Sequence, residues 1–314
     1  MPSSLAPLTF IPLFKERIWG GRRLETLFGK GLPPGACIGE SWEIVDRPDD
    51  QSVVREGRLC GRTLHHLWEN HRAEIFGEME DAPRFPLFLK LLDAEEKLSV
   101  QVHPPADLAA ELGGEPKTEC WYVAHAEPTA ELYVGLKKGS SRADFEAALA
   151  KGTAQEQLHR IPVSAGDAMF LPSGRVHAIG AGNVLVEVQQ NSDTTYRVFD
   201  WNRVDSKGSP RTLHIQESLR SIDFDDYEPE LVEHGGELLV ADPLFTLEEW
   251  SLTEERPVSE RGIFAIVTCL SGAVRCAGVE LTPGNFFLVP ASLQDRALSA
   301  SAAGTALLRI TAGR

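Results

Sequence analysis

Glycine and proline interrupt this chain of 314 residues so often that long helices cannot dominate its fold. There are 27 glycines and 20 prolines, and the stretches between them are short and rich in apolar residues. Such runs include Phe85–Leu92, Leu98–His103, Leu132–Leu136, Ala168–Leu171 and Val184–Val188. Short apolar runs bounded by turn-forming residues are typical of antiparallel sheets. The sequence therefore predicts a mainly β fold.

Helical periodicity is limited to a few segments, which predicts a few peripheral helices on a sheet core. These segments are Thr63–Phe76, Ala106–Leu112, Arg142–Ala150 and Ala154–Leu158. Because 42% of the residues are hydrophobic, the chain can form a sizeable core.

The charge of the chain limits its partners. A formal net charge of -15 makes a nucleic acid or an anionic membrane an unsuitable partner, since binding many phosphates needs a dominant basic surface. No stretch is apolar for long enough to span a bilayer. A small anionic substrate would therefore need a local basic pocket.

The cysteines indicate a reducing environment. There are five, an odd number, and they show no CxxC spacing: Cys37, Cys60, Cys120, Cys269 and Cys276. This pattern does not fit a disulfide scaffold. The first seventeen residues lack the basic start of a signal peptide, and we expect a cytoplasmic protein.

Two segments resemble each other and predict an internal duplication. Val163–Ile179 and Leu281–Leu298 each contain a glycine, a hydrophobic stretch and then a proline at the same offset. The second copy has Asp295 where the first has His177. We therefore expect metal ligands only in the first copy.

The acidic stretch Asp223–Glu237 lies between the two copies and reads as a linker. It predicts a catalytic domain over residues 1–230, which includes N-terminal decorations. A smaller C-terminal β domain without metal ligands follows over residues 231–314.

The segment around His103 has the alternation of a β-strand, in which every second residue lies on the same face. One face carries polar side chains, those of Ser99, Gln101 and His103. The other face carries an apolar backing for a packed outer layer, formed by Leu98, Val100 and Val102. Taken alone, such a polar face is equally compatible with simple exposure to solvent.

Two further segments favour a metal site over simple exposure. The same alternation places Lys117, Glu119 and Trp121 on one face of a hydrophobic strand, where a buried carboxylate needs a partner. The turn Pro172–Gly174 then leads to His177. Two imidazoles, one carboxylate and one amide suit zinc, with manganese, iron or cobalt as alternatives. The predicted ligands are Gln101, His103, Glu119 and His177.

A polar strand face follows the His177 turn. If alternation continues from Val184, then Glu187, Gln189, Asn191 and Asp193 share one face, and the same parity reaches Arg197. Such a face can be the ordinary outer face of a sheet. Its position directly after His177 makes the interior at least as plausible.

The stretch Gly166–His177 resembles the second cupin motif, in which glycine, proline, glycine and histidine recur at this spacing. Around His103, Gln-Val-His-Pro is followed by Lys-Thr-Glu-Cys-Trp and later by Tyr196–Trp201, a series similar to type I phosphomannose isomerases of the short bacterial form. The resemblance begins near Trp19 and continues more weakly into the C-terminal domain. It implies a cupin double-stranded β-helix (jelly-roll) barrel with a second, degenerate cupin-like domain.

The family resemblance also implies a function. The expected reaction is the zinc-dependent interconversion of mannose 6-phosphate and fructose 6-phosphate through a cis-enediol, with one zinc ion per chain and a sugar phosphate as the small-molecule partner. The family's ligands correspond to the four predicted from strand alternation. Arg197 resembles the family's catalytic arginine, and its guanidinium is suited to stabilise an enediolate. For the phosphate, the corresponding residues are Ser99, Lys117 and Arg203. We expect a monomer or a small homo-oligomer.

The base that moves the proton has several candidates. Asp193 lies four residues before Arg197 on the same predicted strand face, and Lys117 lies two residues before Glu119. Lys90 lies within an apolar run and could act as a base if it is buried. The alternative for Lys90 is an edge-strand lysine that extends its ammonium to solvent.

Two other functions remain open on the sequence. Another cupin metalloenzyme, such as an iron dioxygenase, would use a similar set of ligands but needs no basic phosphate pocket. A sugar-binding cupin without turnover would retain the fold, and the degenerate second copy shows that this chain tolerates such loss.

Overall fold

A computed structural model describes residues 5–204 and 208–313. The described chain forms two compact units. The central unit comprises Glu16–Gly21 and Leu92–Leu231. The terminal unit comprises the N-terminal segment up to Lys15, Arg22–Leu91 and the chain from Val232 onward.

Strands predominate among the described residues, as predicted. In chain order they are β1 (Phe10–Ile11), β2 (Leu13–Gly21), β3 (Ile38–Ile44), β4 (Val53–Val54), β5 (Leu87–Ala94), β6 (Val100–Val102), β7 (Glu119–Ala126), β8 (Glu131–Leu136), β9 (Leu158–Pro162), β10 (Ala168–Leu171), β11 (His177–Ile179), β12 (Asn183–Gln190), β13 (Tyr196–Phe199), β14 (Leu238–Ala241), β15 (Phe245–Ser251), β16 (Arg256–Pro257), β17 (Ala265–Ser271), β18 (Val274–Cys276), β19 (Val279–Leu281), β20 (Phe286–Val289), β21 (Ala297–Ala300) and β22 (Ala306–Ala312).

The helices are short, and most of them lie in the segments where sequence periodicity predicted a helix. They are α1 (Arg23–Phe28), α2 (Leu64–Asn70), α3 (Arg72–Ile75), α4 (Ala106–Ala109), α5 (Arg142–Lys151), a 3-10 helix (Ala154–Gln157) and α6 (Ile215–Ser221). Sequence periodicity did not predict α1 or α6. No helix in the described ranges has both the length and the apolar character needed to cross a bilayer.

Two sheets of the central unit share one core. One contains the strand order β10-β7-β12, and the other has the order β13-β6-β11-β8-β9. Both sheets contribute to a single buried cluster, which includes Trp121 of β7, Leu171 of β10, Val134 of β8 and Ile179 of β11. Their inner faces therefore pack against each other, as in a jelly roll.

The five-stranded sheet has a second apolar face, on which α5 and α6 pack. Val100, Val102 and Val198 belong to this outer cluster together with Phe145 of α5 and Leu219 of α6. The outer layer behind Val100 and Val102 is thus present as predicted. Leu98 differs from the prediction, because it precedes β6 and packs in the cluster between the sheets.

The C-terminal part of the terminal unit has a similar layered construction. Its sheets have the orders β14-β15-β22-β17-β20 and β16-β21-β18-β19. Trp250, Val267, Val274 and Phe287 are among the buried residues of their common core. Here β20 and β21 repeat the strand–turn–strand pattern of β10 and β11, and Asp295 lies exposed in the intervening turn.

The composition of the compact units differs from the division drawn from sequence. The compact units and the sequence-based division both have a boundary near residue 231. The terminal unit, however, also includes Arg22–Leu91. The sequence had assigned these residues to the catalytic domain. The division into 1–230 and 231–314 therefore stays a prediction.

Candidate metal centre and substrate site

Three of the four predicted metal ligands meet inside the central unit. Glu119 is the first residue of β7, His177 is the first residue of β11, and His103 directly follows β6. One ligand atom of each lies within 4.8 Å of the others. All three side chains are buried, with at most 1% of each residue exposed.

Both imidazoles present the same nitrogen to the centre. His103 Nδ1 lies 2.7 Å from the carbonyl oxygen of Thr194, and His177 Nδ1 lies 2.9 Å from that of Arg175. Because a carbonyl only accepts hydrogen bonds, each Nδ1 must carry the proton. This leaves the Nε2 lone pairs available, and it is the arrangement by which proteins orient histidine ligands of metals.

Strand register places the fourth predicted ligand, Gln101, opposite His177. It pairs with His177 across β6 and β11. Directly opposed residues of an antiparallel pair lie on the same face of the sheet, with their Cβ atoms about 4.5–5.5 Å apart. The half-buried side chain of Gln101 therefore lies on the face that carries His177.

The turn before His177 is bonded to the segments that carry the other ligands. Gly174 N donates to the carbonyl oxygen of His103 at 2.9 Å. Ser173 Oγ accepts from Lys117 N at 2.9 Å, and Ser173 N donates to Thr118 Oγ1 at 3.2 Å. Gly174 has a φ of 96°, a conformation that favours glycine. This turn therefore fixes the ligand-bearing segments relative to one another.

Lys117 provides the positive charge beside Glu119. Its Nζ lies 2.6 Å from Glu119 Oε2, 3.7 Å from Glu187 Oε1 and 3.4 Å from His103 Nε2. Burial alone would lower the pKa of Lys117, but the carboxylates of Glu119 and Glu187 outweigh burial and raise it. Lys117 is therefore held as an ammonium.

The ligands themselves stay in the protonation states that a metal requires. Burial lowers the pKa of His103, and it lowers the pKa of His177 to about 3, so both rings remain neutral near pH 7. Burial would raise the pKa of Glu119, but the neighbouring Lys117 ammonium outweighs burial and holds it well below its ordinary value. The centre thus combines two neutral imidazoles with a carboxylate.

Arg197 and Ser99 lie next to this centre, on β13 and immediately before β6. Arg197 pairs with Gln101 in the sheet, and its Nε donates to Ser99 Oγ at 3.2 Å. Its Nη1 also donates to the carbonyl oxygen of Thr212 at 2.9 Å. Burial, together with nearby Arg211, lowers the pKa of Arg197 from its high ordinary value.

Arg203 belongs to a cluster that the sequence did not reveal in full. Its Nη2 lies 2.6 Å from Asp200 Oδ1, and its Nη1 donates to the carbonyl oxygen of Lys97 at 2.6 Å. Arg211 donates to both carboxylate oxygens of the same Asp200. Arg211 was missed because it lies fourteen residues after Arg197, outside any strand alternation.

Asp193 departs from its predicted position. β12 ends at Gln190 and β13 begins at Tyr196, so strand alternation does not continue through Asp193. Asp193 is exposed in the connecting loop, and its carboxylate contributes to the raised pKa of Lys117. The prediction of one continuous polar strand face was therefore wrong beyond Gln190.

Lys90 belongs to the terminal unit. It is buried, with 4% of its surface exposed, and its Nζ lies 4.3 Å from the ring centroid of Phe88 and 5.8 Å from that of Trp42. The alternative of an edge-strand lysine that reaches solvent is therefore wrong. Burial among aromatic rings is compatible with a cation–π role.

Comparison with known proteins places the chain in a family. Residues 8–115 match the catalytic domain of type I phosphomannose isomerases. A probable mannose-6-phosphate isomerase of Bacillus subtilis strain 168 is 37% identical over 298 residues, which cover 91% of this chain and 93% of that protein. The chain belongs to the type I phosphomannose isomerases. The resemblance first seen in its motifs is thus confirmed.

Solved structures of phosphomannose isomerases share this fold. The crystal structure of mannose 6-phosphate isomerase from Bacillus subtilis superposes with a TM-score of 0.84 at 34% identity and covers 98% of this chain and 99% of that one. A mannose 6-phosphate isomerase bound with zinc and yttrium has a TM-score of 0.75 at 18% identity, with coverage of 99% of this chain and 100% of that one. The predicted mainly β cupin fold is confirmed.

In this member of the phosphomannose isomerase family, the buried side chains at the centre are suited to bind a divalent metal ion. Glu119 Oε1 and His177 Nε2 are buried and have no hydrogen-bond partner within the described chain. Leaving such atoms buried without a partner costs free energy, which a coordinated cation would offset. Two nitrogens and a carboxylate oxygen are donors that zinc accepts readily.

Proposed function

We propose that this chain interconverts mannose 6-phosphate and fructose 6-phosphate. The observation that carries the proposal is the convergence of Glu119 with the Nε2 atoms of His103 and His177, beside the Arg197–Ser99 pair. Its support from comparison comes from two relatives in Bacillus subtilis, a probable mannose-6-phosphate isomerase and a mannose-6-phosphate isomerase, which are 37% and 36% identical over 91% and 92% of the chain. The sugar phosphate is the substrate partner that this proposal requires.

The cofactor of the proposal is one zinc ion per chain, held by Gln101, His103, Glu119 and His177. The donor atoms support zinc, and a related isomerase with the same fold is a zinc-bound structure. When bound, zinc supplies a Lewis acid that polarises the substrate's carbonyl and hydroxyl oxygens. The fixed Nδ1–H tautomers keep both imidazoles oriented for this role.

The charged residues near the centre would stabilise the enediol intermediate of the reaction. Moving a proton between C1 and C2 develops negative charge on the substrate oxygens, and a fixed cation stabilises that charge. In our proposal, Arg197 performs this task, because a guanidinium keeps its proton at neutral pH. Ser99, Lys117 and Arg203 retain their proposed part in holding the phosphate.

The catalytic base is proposed to be Asp193, with Lys90 and Lys117 as the remaining candidates. A carboxylate accepts a proton at neutral pH, whereas Lys117 is held as an ammonium by Glu119 and Glu187. The test is exchange of the C2 proton with deuterated solvent in Asp193→Asn and Lys90→Met. Loss of exchange in the first variant alone supports Asp193, and loss only in the second transfers the role to Lys90.

We extend the proposal to a cytoplasmic enzyme that functions as a monomer or a small homo-oligomer. All five cysteines are free, which is compatible with a reducing compartment. The catalytic and C-terminal domains are proposed to span residues 1–230 and 231–314. Light scattering of the purified protein would determine the assembly.

The activity is tested with purified protein and mannose 6-phosphate, with fructose 6-phosphate coupled to a reporter enzyme. We expect turnover that a chelator removes and zinc restores. Glu119→Gln should reduce turnover at least about 100-fold, because a lost ligand costs no less than a lost outer-shell partner. Glu146→Gln, on the exposed side of α5, is the matched control. Zinc-loaded protein that binds but does not convert the sugar would instead support a non-catalytic cupin, and oxygen-dependent activity with iron would support a dioxygenase.

A further inference from the structure

A cavity of about 630 Å³ lies within the terminal unit. This volume is in the range of small-molecule binding sites. The candidate metal ligands belong to the central unit, so the cavity has a lining of its own. Its walls are the N-terminal segment Leu5–Phe10, the turn Arg55–Arg58 and the hairpin Gly278–Thr282, together with Glu43, Asn285 and Phe286.

Backbone hydrogen bonds hold the N-terminal wall of the cavity in place. Leu8 exchanges two of them with Leu288 of β20, at 2.8 and 2.9 Å. On the other side, Phe10 of β1 pairs with Val54 of β4, and Arg55 Nη2 donates to the carbonyl oxygen of Phe10 at 3.0 Å. The segment is therefore fixed to strands on both of its sides, and the cavity is pre-formed, as small-molecule sites usually are.

One buried carboxylate lines this cavity. Glu43 of β3 has 5% of its surface exposed. Lys30 Nζ donates to it at 2.7 Å and Ser41 Oγ at 2.6 Å, and both donors contact the same oxygen, Oε1. Within the described ranges, Oε2 accepts no hydrogen bond. A carboxylate oxygen has lone pairs for two donors, so Oε2 is available to a donor on a bound molecule.

The charges around the cavity cancel. Five charged residues line it, and two of these, Arg55 and Glu56, have opposite signs. Each of the other three lies in an ion pair: Glu43 with Lys30, Arg58 with Glu74, and Glu280 with Arg275. An ionic ligand would bring an unbalanced charge into a partly buried site, which costs free energy. The cavity therefore suits a neutral molecule.

The polar groups of the lining suit hydroxyl groups. A carboxylate such as Glu43 only accepts hydrogen bonds and a guanidinium such as Arg55 only donates them, whereas a hydroxyl group does both. Asn285 Nδ2 donates to the carbonyl and hydroxyl oxygens of Thr282, which leaves its Oδ1 as a further acceptor. Apolar side chains, including those of Phe10 and Phe286, complete the walls and can contact a carbon skeleton.

We propose that this cavity is a binding site for a neutral polyhydroxyl compound of the size of a monosaccharide, with hydroxyl groups that donate to Glu43 and accept from Arg55. The site is additional to the candidate metal centre, and the inference does not depend on the proposed isomerase function. The ligand class is an unphosphorylated sugar or sugar alcohol.

The test is titration calorimetry of the full-length, zinc-loaded protein with D-mannose and with mannitol. Ala6 is exposed and lines the cavity, so the indole of Ala6→Trp should fill the cavity from its surface side. We expect this variant to bind mannitol at least about 10-fold more weakly, a loss of about 1.4 kcal/mol. KM and kcat for mannose 6-phosphate should not change. Ala147→Trp, on the exposed side of α5, is the matched control.

A second variant tests the role of the carboxylate. Lys30→Met combined with Glu43→Gln removes both charges of the buried pair, so that neither is left without its partner. We expect binding of mannitol to weaken about 10- to 100-fold, as for loss of a hydrogen bond to a charged group. Unfolding midpoints are measured for all variants. If the double variant does not fold, Ala6→Trp still decides the inference.

D-Mannose bound at the metal centre is distinguished from D-mannose bound in the cavity. Binding at the metal centre should weaken in Glu119→Gln and be unchanged in Ala6→Trp, whereas binding in the cavity should show the reverse.

Several outcomes would overturn the inference. One is a wild-type protein that binds neither mannitol nor D-mannose, and another is equal affinity in Ala6→Trp and the wild type. Binding of inorganic phosphate or methylammonium that Ala6→Trp abolishes, without binding of mannitol, would show that the site takes an ion. A wild-type protein that binds mannitol in the cavity but does not isomerise mannose 6-phosphate contradicts the proposed function alone and supports this site.

Discussion

Arg197 lies directly opposite Gln101 in the pairing of β13 with β6, and Gln101 in turn lies opposite His177 of β11. Three neighbouring strands thus place a guanidinium, an amide and an imidazole in one row across the sheet. Cross-strand neighbours are within reach of one another's side chains. In this row, Gln101 is one strand away from His177 of the candidate metal centre and one strand away from Arg197 on the other side. The row therefore connects the candidate metal centre with Arg197, the first residue of the arginine cluster that also contains Arg203 and Arg211.

Removing the Lys117 ammonium should lower the free energy of unfolding of the metal-free protein. Lys117→Met leaves the buried carboxylates of Glu119 and Glu187 without their ammonium partner, and we expect a loss of about 3–5 kcal/mol in chelator. Zinc should recover part of this loss, because a bound cation supplies the missing charge. Urea denaturation with and without zinc measures both effects. Lys138→Met is the exposed control, and equal stability of the two variants would contradict the prediction.

The metal-free protein should lose stability as the pH falls below about 6.5. The pKa of His177 is about 3 when folded, whereas an unfolded histidine has a pKa of about 6.5. Between these values the unfolded chain binds the additional proton, so stability rises with pH and falls on acidification, by about 1.4 kcal/mol per pH unit for each such histidine. His103 has a lowered pKa and acts in the same direction.

This pH dependence can be assigned by mutation. Below about pH 4.5, titration of Glu119 adds to the acid loss, because its folded pKa is also lowered. Urea midpoints between pH 4.5 and 6.5 therefore report mainly on the histidines. In this window, His177→Gln should reduce the slope of the unfolding free energy against pH by the contribution of about one proton. An unchanged slope would be evidence against a buried neutral His177.

Gly174 should matter for metal affinity more than for folding. Its φ of 96° places it where an alanine is strained, and its N–H fixes the carbonyl of His103. Gly174→Ala should weaken zinc binding by about 10- to 100-fold, the range for residues that orient ligands. Gly139→Ala is the matched control. Gly139 also has a positive φ, of 87°, and there is open space around an added Cβ. Equal zinc affinities in a competition titration would show that the turn does not position His103.

The turn after β13 contains two consecutive residues in the left-handed region. Trp201 has a φ of 56° and Asn202 a φ of 57°, and Asn202 Nδ2 donates to the carbonyl oxygen of Gly152. Asn202→Ala and Asn202→Gly both lose this hydrogen bond but differ in their tolerance of positive φ. We expect the alanine variant to be less stable by about 1 kcal/mol, measured by urea denaturation. If alanine is the more stable of the two, the left-handed assignment is wrong.

Local alternation explains why much of the site was accessible from sequence. Glu119 and Trp121 share a strand face as predicted, and Trp121 Nε1 donates to Glu187 Oε2 at 3.0 Å across the neighbouring strand. The errors occur where a strand begins or ends. Leu98 precedes β6 and Asp193 follows β12, and alternation has no meaning once the backbone leaves the extended conformation.

Other features depended on elements that are distant in sequence. Arg211 bonds to Asp200 across eleven residues of sequence, and a left-handed turn at Trp201 and Asn202 follows β13. Asparagine is enriched in the left-handed region, which gives a weak signal at Asn202, but Trp201 gives none. The burial of Lys90 likewise depends on the rings of Phe88 and Trp42, of which Trp42 lies in a distant strand.

The sequence by itself determined the mainly β class and the chemical types of the metal ligands, because strand period and donor chemistry are properties of short segments. The tertiary structure decided which charges pair. It places Lys117 between two carboxylates and bonds both Arg203 and Arg211 to Asp200. An ion pair depends on the distance between side chains, and that distance is set only when strands and turns remote in sequence pack together.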